Sequence, residues 1–357
     1  MCCNIRVNPV ESKMKVVVVS FYLPPTDRIG AGVQMHMLAN AYVDLGHDVT
    51  VVSPSIMKDE NARYTLTSVP LVGRNRLVQW ANILKHYKFD ADVVHFGGDD
   101  HLVGKLGATH IRTFHGSCFA EAISAKSIRD KVRMFYLGCT ELLAQKQHRV
   151  TTVVSEHTNR YFLRQNIVIP NGVDLRRFTP SESKSNVPSV LFVGTLDSRK
   201  RGRVLLQEFT NVVRRHIPSA QLWIVRDDTR LEVDGVVVHG SVSESKLIHL
   251  YQQAWAFCLP SSYEGFGVPY IEAMACGTPV VATPNPGAME VLDGGKYGLV
   301  TDIEDLGSML VSVLGNSELR HELIVKGLER SRKYDIRQIA QQYICLATKF
   351  SQAKSEH

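Results

Sequence analysis

No apolar run in this 357-residue chain is longer than a strand; Val16–Val19 is typical. A membrane-spanning helix needs ~20 consecutive apolar residues, so none is expected. The N-terminal MCCNIRVNPVESK has no apolar core of the signal-peptide kind, which places the chain in the cytoplasm. Residues 1–13 precede the first strand pattern and are read as a tail outside the fold. The seven cysteines are odd in number and scattered, with no CxxC, so neither a disulfide framework nor a zinc site is indicated. Walker A and a full GxGxxG are also missing. Internal repeats and low-complexity segments are absent. Formal net charge is only +6, compatible with an anionic ligand or an acidic membrane surface but no argument for nucleic acid.

What is present is alternation. Lys15–Phe21 reads as a buried parallel strand because its middle is wholly apolar. In Gly32–Gly46, Val33, Met37, Leu38, Ala41 and Leu45 mark one helical stripe, with Gly46 as C-cap. Strands follow at Asp48–Ser53, Ala91–Phe96, His110–Phe114 and Thr151–Ser155. The pattern breaks at Pro170-Asn171-Gly172, and the polar stretch Thr179–Pro188 follows, so the interdomain link is set here. Alternation then resumes: strands at Ser189–Gly194, Gln221–Val225, Val236–His239, Ala256–Pro260 and Pro279–Ala282, helices at Arg203–Arg215 and Val268–Cys276, and a last helix near Ile336–Phe350. The length and pattern predict two Rossmann-like domains with doubly wound parallel sheets, 14–172 joined by 336–357, and 173–335. Ligands of such sheets bind at the carboxyl ends of strands, so a cleft between domains is the expected site.

The densest chemistry is PSSYEGFGVPYIEAMACGTPVVAT, residues 260–283. Glu264 follows a strand; Gly265 and Gly267 allow close backbone approach. A helix opens at Val268 with Pro269 in its first turn, leaving free N–H groups and a positive dipole end. Glu272 lies one turn in. Carboxylates accept hydrogen bonds from sugar hydroxyls and free amides take phosphate oxygens. At another strand-to-helix turn, Arg199, Lys200, Arg201 and Arg203 cluster, suited to neutralising a diphosphate; Lys200 leads. Ile29-Gly30-Ala31-Gly32-Val33 can cradle phosphate in the first domain. His115, in Thr113-Phe114-His115-Gly116-Ser117, is expected at a strand end facing the cleft. His95 and Asp99 are placed in a similar loop, lining an acceptor pocket.

These segments resemble family 4 of the retaining GT-B glycosyltransferases, from Met14 to about Phe350. The likeness rests on AGVQMHMLANAYVDLGHDVTVVSP, TFHGS, VIPNGVDLRRFTP, LFVGTLDSRKRG and YEGFGVPYIEAMACGTPVVA. It implies a hexosyltransferase whose nucleotide-sugar donor is held mainly by the C-terminal domain. Glu264 would bind donor-sugar hydroxyls and Glu272 the ribose. Amides of Gly265, Phe266, Gly267 and Val268 would meet sugar and diphosphate. Lys200, helped by Arg199, would neutralise the diphosphate, and Gly32 would approach it from the other domain. His115 would sit beside the donor sugar. Ser241 and Val242 look like the base-contacting loop. Two departures stand out: Thr195 occupies a position where the family often has Arg, and Ala31-Gly32 replaces paired glycines.

The expected reaction loosens the C1–O bond to the diphosphate while the acceptor attacks from the same face. No cofactor is expected, and no metal, on the reading that no Asp-x-Asp pair is offered. A UDP-sugar is placed ahead of a GDP-sugar as donor. Rival readings are a nucleotide-sugar epimerase and a nucleotide-sugar-binding protein without turnover. Glu264 and Glu272 would touch a donor at different places, which argues against a glycosidase. Lys126–Arg149 mixes basic residues with Met134, Phe135, Leu137 and Leu142. A surface helix burying its apolar face is preferred there to peripheral contact with anionic lipid.

Overall fold

The computed structural model describes residues 13–27, 29–73, 75–125, 127–146, 150–225 and 231–355. The expected tail at 1–13 falls almost wholly outside the described residues, as do Lys126 and Arg149 at the ends of the basic segment. The chain divides into two compact units: one runs to Gly172 and takes in the segment from Ile336, the other is Val173–Asp335. The polar stretch Thr179–Pro188 lies inside the second unit, where Lys184 Nζ donates to Thr278 Oγ1 at 2.9 Å.

Among the described residues the first unit holds seven parallel strands: β1 Lys15–Val19, β2 Asp48–Ser53, β3 Thr65–Ser68, β4 Val93–Phe96, β5 Thr109–Phe114, β6 Val150–Val153 and β7 Ile167–Val168. Their order is β3-β2-β1-β4-β5-β6-β7, so the winding direction reverses between β1 and β4. Val16 and Val18 pack into one hydrophobic cluster while Val17 and Val19 pack into another. That two-sided burial is why β1 is a continuous apolar run rather than an alternating one. Helix α1, Gly30–Asp44, shares the first cluster with the closing helix Ile336–Ser355.

The single apolar stripe expected for α1 is replaced by a broader buried surface that includes Gln34, His36 and Asn40. Each polar side chain is satisfied: Gln34 exchanges hydrogen bonds with the backbone of Gly172 at 3.1 and 3.0 Å, His36 Nδ1 meets Tyr64 Oη at 2.8 Å, and Asn40 Oδ1 accepts from the Arg63 N–H at 2.9 Å. Further helices in this unit include α2 Arg76–His86, α3 Cys118–Ser124 and α4 Ile128–Lys146.

The described residues of the second unit form six parallel strands: β8 Ser189–Val193, β9 Gln221–Val225, β10 Val236–Gly240, β11 Ala256–Leu259, β12 Val280–Ala282 and β13 Leu299–Val300. Their order is β10-β9-β8-β11-β12-β13, with the reversal between β8 and β11. The helical segment expected at Arg203–Arg215 begins at Gly202, passes through a π-helical turn at Phe209–Val213, and ends at His216.

Candidate active site

Crossovers leave the two sides of a strand-order reversal in opposite directions, which opens a crevice at the carboxyl ends of the two central strands. In the second unit those strands are β8 and β11, and the loops they release are the two richest in chemistry. The backbone ties them together: Ser262 N donates to the Arg199 carbonyl at 2.8 Å, and Ser262 Oγ to the same oxygen at 3.2 Å.

Glu264 is buried here. Its Oε1 accepts from Ser261 Oγ at 2.9 Å, and its Oε2 lies 3.6 Å from the half-exposed Arg199 guanidinium. Its loop is clamped by the next one. Asn285 donates through Nδ2 to the carbonyls of Ser261 (3.3 Å) and Thr283 (3.0 Å) and to Tyr270 Oη (3.1 Å). The same side chain caps the helix Pro286–Val291, accepting from Ala288 N at 3.0 Å. Gly287 N donates to the Glu264 carbonyl at 2.9 Å; a Cβ at Gly287 would lie 2.6 Å from the Phe266 oxygen, so the two loops touch backbone to backbone.

Gly267 precedes the helix Val268–Ala275 with φ of 92°, and no side chain caps that helix. Its start carries the positive end of the helix dipole, with Pro269 offering no N–H and the Tyr270 N–H donating to the Gly267 carbonyl at 3.0 Å. Glu272, half-buried, accepts from Tyr251 Oη at 2.9 Å. Lys200 reaches back beneath its own loop, donating from Nζ to the Val193 carbonyl at 2.8 Å. Its stem lies across Gly194, where a Cβ would come within 2.4 Å of Lys200 Cδ. Ser241 and Val242 leave the carboxyl end of the edge strand β10. The second unit thus brings Arg199, Lys200, Glu264, Gly265, Phe266, Gly267, Val268 and Glu272 to adjoining strand ends, with Ser241 and Val242 on the same edge of the sheet.

In the first unit a cavity of about 360 Å³ opens at the reversal between β1 and β4. Gly32 and Asp99 line it, with Tyr22, Arg112, Glu141 and Arg133. Gly32 is explained first by the chain itself: a Cβ there would fall 2.5 Å from the Tyr22 carbonyl oxygen. Asp99 takes the left-handed conformation, φ 62°, and burial raises its carboxyl to about 6; Arg112 pulls it down and Asp100 pushes it up to a lesser degree. Glu141 is likewise raised to about 6, chiefly by burial, while accepting from the Cys118 N–H at 3.0 Å and Sγ at 3.2 Å. Arg112 pairs with buried Asp100 at 3.0 Å, yet its Nε is buried without a hydrogen-bond partner.

His95 requires a correction. It sits within β4, fully buried, with Nδ1 2.9 Å from Tyr42 Oη and Nε2 2.7 Å from Thr113 Oγ1. Burial lowers it to about 3, so it is a neutral core histidine with no exposed surface to offer a ligand. A strand-end residue faces a ligand only when its side chain leaves the sheet beyond the last pair, and His95 is still paired with Ile111. His115 is placed differently. It follows β5, with Nδ1 3.1 Å from Asn171 Oδ1 and Nε2 buried without a partner. Burial is the largest cause that lowers it to about 4.

An Asp-x-Asp spacing does occur, at Asp90-Ala91-Asp92, against the expectation of none. Both carboxylates serve Lys15: Asp90 Oδ2 lies 3.1 Å from its Nζ, and Asp92 Oδ2 accepts its N–H at 2.8 Å. Among the described residues no group of three or more histidine, cysteine or acidic residues is arranged to hold a metal ion.

Sequence reasoning missed Asn285, Ser261, Arg112 and Glu141. Asn285 had a readable signal, an Asn before Pro at a helix start. The cavity residues had none, because they are gathered from distant segments.

Two parallel, doubly wound sheets, each with its loops at a reversal of strand order, make the GT-B fold. Solved structures agree: a sucrose-phosphate synthase from Thermosynechococcus elongatus superposes with a TM-score of 0.78 at 20% identity, covering 96% of this chain and 100% of that one. Anabaena HepE, solved in complex with UDP and glucose, gives 0.72 at 17% identity, covering 94% and 99%. The model of Glycosyltransferase Family 4 matches residues 29–177 and that of Glycosyl transferases group 1 matches residues 187–316. Two glycosyltransferase family models thus match successive parts of the chain, the first mainly in the first unit and the second within the second unit. Among curated proteins it is similar to the phosphatidyl-myo-inositol mannosyltransferase of Mycobacterium leprae, 31% identical over 192 residues, 49% of this chain. That match spans about half, 51%, of the relative's length. The Mycolicibacterium smegmatis protein of the same name is 26% identical over 89% of this chain and 90% of its own length.

Proposed function

We propose that this chain moves a hexosyl group from a nucleoside diphosphate sugar to an acceptor hydroxyl, with retention at the anomeric carbon and without a metal ion. One observation carries the reading. At the reversal between β8 and β11, a buried carboxylate, two cations and an uncapped helix start converge from loops that are hydrogen-bonded to each other.

In this reading Glu264 accepts hydrogen bonds from donor-sugar hydroxyls, and Glu272 from the ribose. The amides of Gly265, Phe266, Gly267 and Val268 meet the sugar and diphosphate. Lys200 and Arg199 balance the charge that grows on the leaving group, with Gly32 of the first unit as a further contact. Ser241 and Val242 contact the base. His115 is neutral at ordinary pH and offers Nε2 to the donor sugar. The C1–O bond to the diphosphate breaks as the bond to the acceptor oxygen forms, and the acceptor proton passes to a departing phosphate oxygen. No side chain acts as a nucleophile; the protein's contribution is positioning and charge stabilisation. The acceptor belongs to the first unit's cavity, with Asp99 on its wall. The setting is the cytoplasm. A UDP-sugar is the first donor to test, ahead of a GDP-sugar, in line with the UDP-glucose bound by HepE.

Titration calorimetry with UDP-, GDP-, ADP- and dTDP-sugars tests this. One nucleotide sugar is expected to bind, and Glu272→Ala to weaken it about ten-fold or more, since hydrogen bonds to a charged group are worth ~1.5–3 kcal/mol. Binding of none, or equal binding by the variant, refutes the donor site. Anomeric assignment of the product by NMR decides retention.

A further inference from the structure

The outward face of α4 is its apolar one. Ile128, Val132, Phe135, Tyr136 and Leu143 are all between 54% and 77% exposed. Their spacing of i, i+4, i+7, i+8 and i+15 sets them on one side of the helix. Cys139, also exposed, falls on the same stripe. Ile123 extends it onto the adjoining α3, where it is equally exposed.

The opposite side of α4 packs in the ordinary way. Gly138 lies against Phe119, whose ring stands 2.8 Å from where a Cβ would be; Ala144 and Gln145 are buried, and Met134 and Leu137 line the cavity. The expectation that this helix buries its apolar side therefore holds for only half of its apolar residues. The other half forms a second stripe that nothing in the described structure covers.

The exposed charges around that stripe are mostly of one sign. Arg129, Lys131 and Arg133 stand beside its first turns and Lys146 at its end, all exposed. The acidic side chains on the helix are Asp130 and Glu141, and Glu141 is turned inward onto the Cys118 amide. Contiguous exposed apolar surface on a soluble chain marks a binding face. A second copy meeting this one stripe to stripe would bring like charges together. An anionic lipid surface instead takes the apolar side chains into its acyl boundary and the cations into its phosphate layer. We propose that the α3–α4 face is a docking surface for anionic lipid, with α4 lying in the plane of the interface. This goes beyond the sugar-transfer reading and does not depend on it.

Co-sedimentation of the full chain with phosphatidylglycerol–phosphatidylcholine vesicles, against phosphatidylcholine alone, tests the proposal. Binding is expected only with the anionic lipid, and weaker at high salt. Ile128→Glu/Val132→Glu is expected to weaken it by more than about ten-fold, since two apolar anchors are lost and two like charges gained. Arg129→Gln/Lys131→Gln is expected to weaken it roughly twenty-fold, as each cation near an anionic surface is worth about five-fold. These side chains face solvent, so both variants should keep the wild-type thermal transition, which separates lost docking from lost folding. No vesicle binding by the wild type, or undiminished binding by both variants, overturns the proposal. Self-association in sedimentation velocity that Ile128→Glu/Val132→Glu abolishes, with no vesicle binding, overturns it in favour of an interface between copies.

Discussion

Replacing Asp99 with asparagine should stabilise the first unit at neutral pH and do little in acid. Burial holds the Asp99 carboxyl at about 6 against an ordinary value of 3.8. Between those two values the folded chain keeps a proton that the unfolded chain has shed. The folded state binds more protons there, so stability falls as pH rises through the window. Above pH 6 the full penalty of burying the charge is present. The gap corresponds to about 3 kcal/mol as an upper bound, before relaxation of the surroundings. Asparagine carries no charge at any pH, and it tolerates the left-handed φ of 62° as aspartate does. The difference in Tm, Asp99→Asn variant minus wild type, should be near zero around pH 4, rise through pH 5, and level off above pH 6. At ~2–4 °C per kcal/mol its plateau should be several degrees. Scanning calorimetry is the assay, following the first unit's transition. The difference must be used because His115 acts oppositely. Its pKa is lowered from 6.5 to about 4, so its contribution to stability grows as pH rises across that range. A Tm difference that is flat with pH, or larger in acid, would show that Asp99 is solvated and that the cavity wall is not as described.

Gly267→Ala should destabilise the second unit by about 2–4 kcal/mol and weaken donor binding in calorimetry. A Cβ there meets Tyr270 Cδ2 at 2.4 Å, Tyr270 is held by Asn285, and φ of 92° strains any L side chain. An unchanged Tm would mean the loop has another conformation. Lys200→Ala should reduce donor affinity at least about ten-fold, measured the same way, the scale of one charge-assisted hydrogen bond. Lys200→Arg should rescue it poorly, because the stem packs against Gly194 with no room for a broader head. Full rescue by Arg would make the site a diffuse charge rather than an anchored one.

Legibility in the sequence followed how many sides of an element are buried. β2 and β9 were readable residue for residue at Asp48–Ser53 and Gln221–Val225, since buried parallel strands are short apolar runs between turns. β3, β7 and β13 escaped: Thr65–Ser68 is polar and half-exposed, and the other two are each a pair of residues at a sheet edge. The second unit's site was legible because it is local, with Glu264, Gly267 and Glu272 within nine positions on one loop and helix. The first unit's cavity was not, because its wall is assembled from segments around β1, β4, α3 and α4. Helix α4 shows the same limit most sharply. With apolar residues facing both protein and solvent, it has no single stripe, and composition cannot say which half is inside. Phe135 and Leu137 look alike in the sequence; only the position of α3 and the strand ends beneath it sends Leu137 to the cavity and leaves Phe135 outside. The glycines carry the complementary lesson. Gly32 reads as a place where a ligand comes close, yet the first neighbour a Cβ would meet there is the chain's own Tyr22, just as at Gly194 and Gly287 it is the chain's own Lys200 and Phe266. A glycine-rich loop therefore reports how tightly its own backbone is folded before it reports what binds there, and the donor reading rests on the carboxylates and cations those folds hold in place.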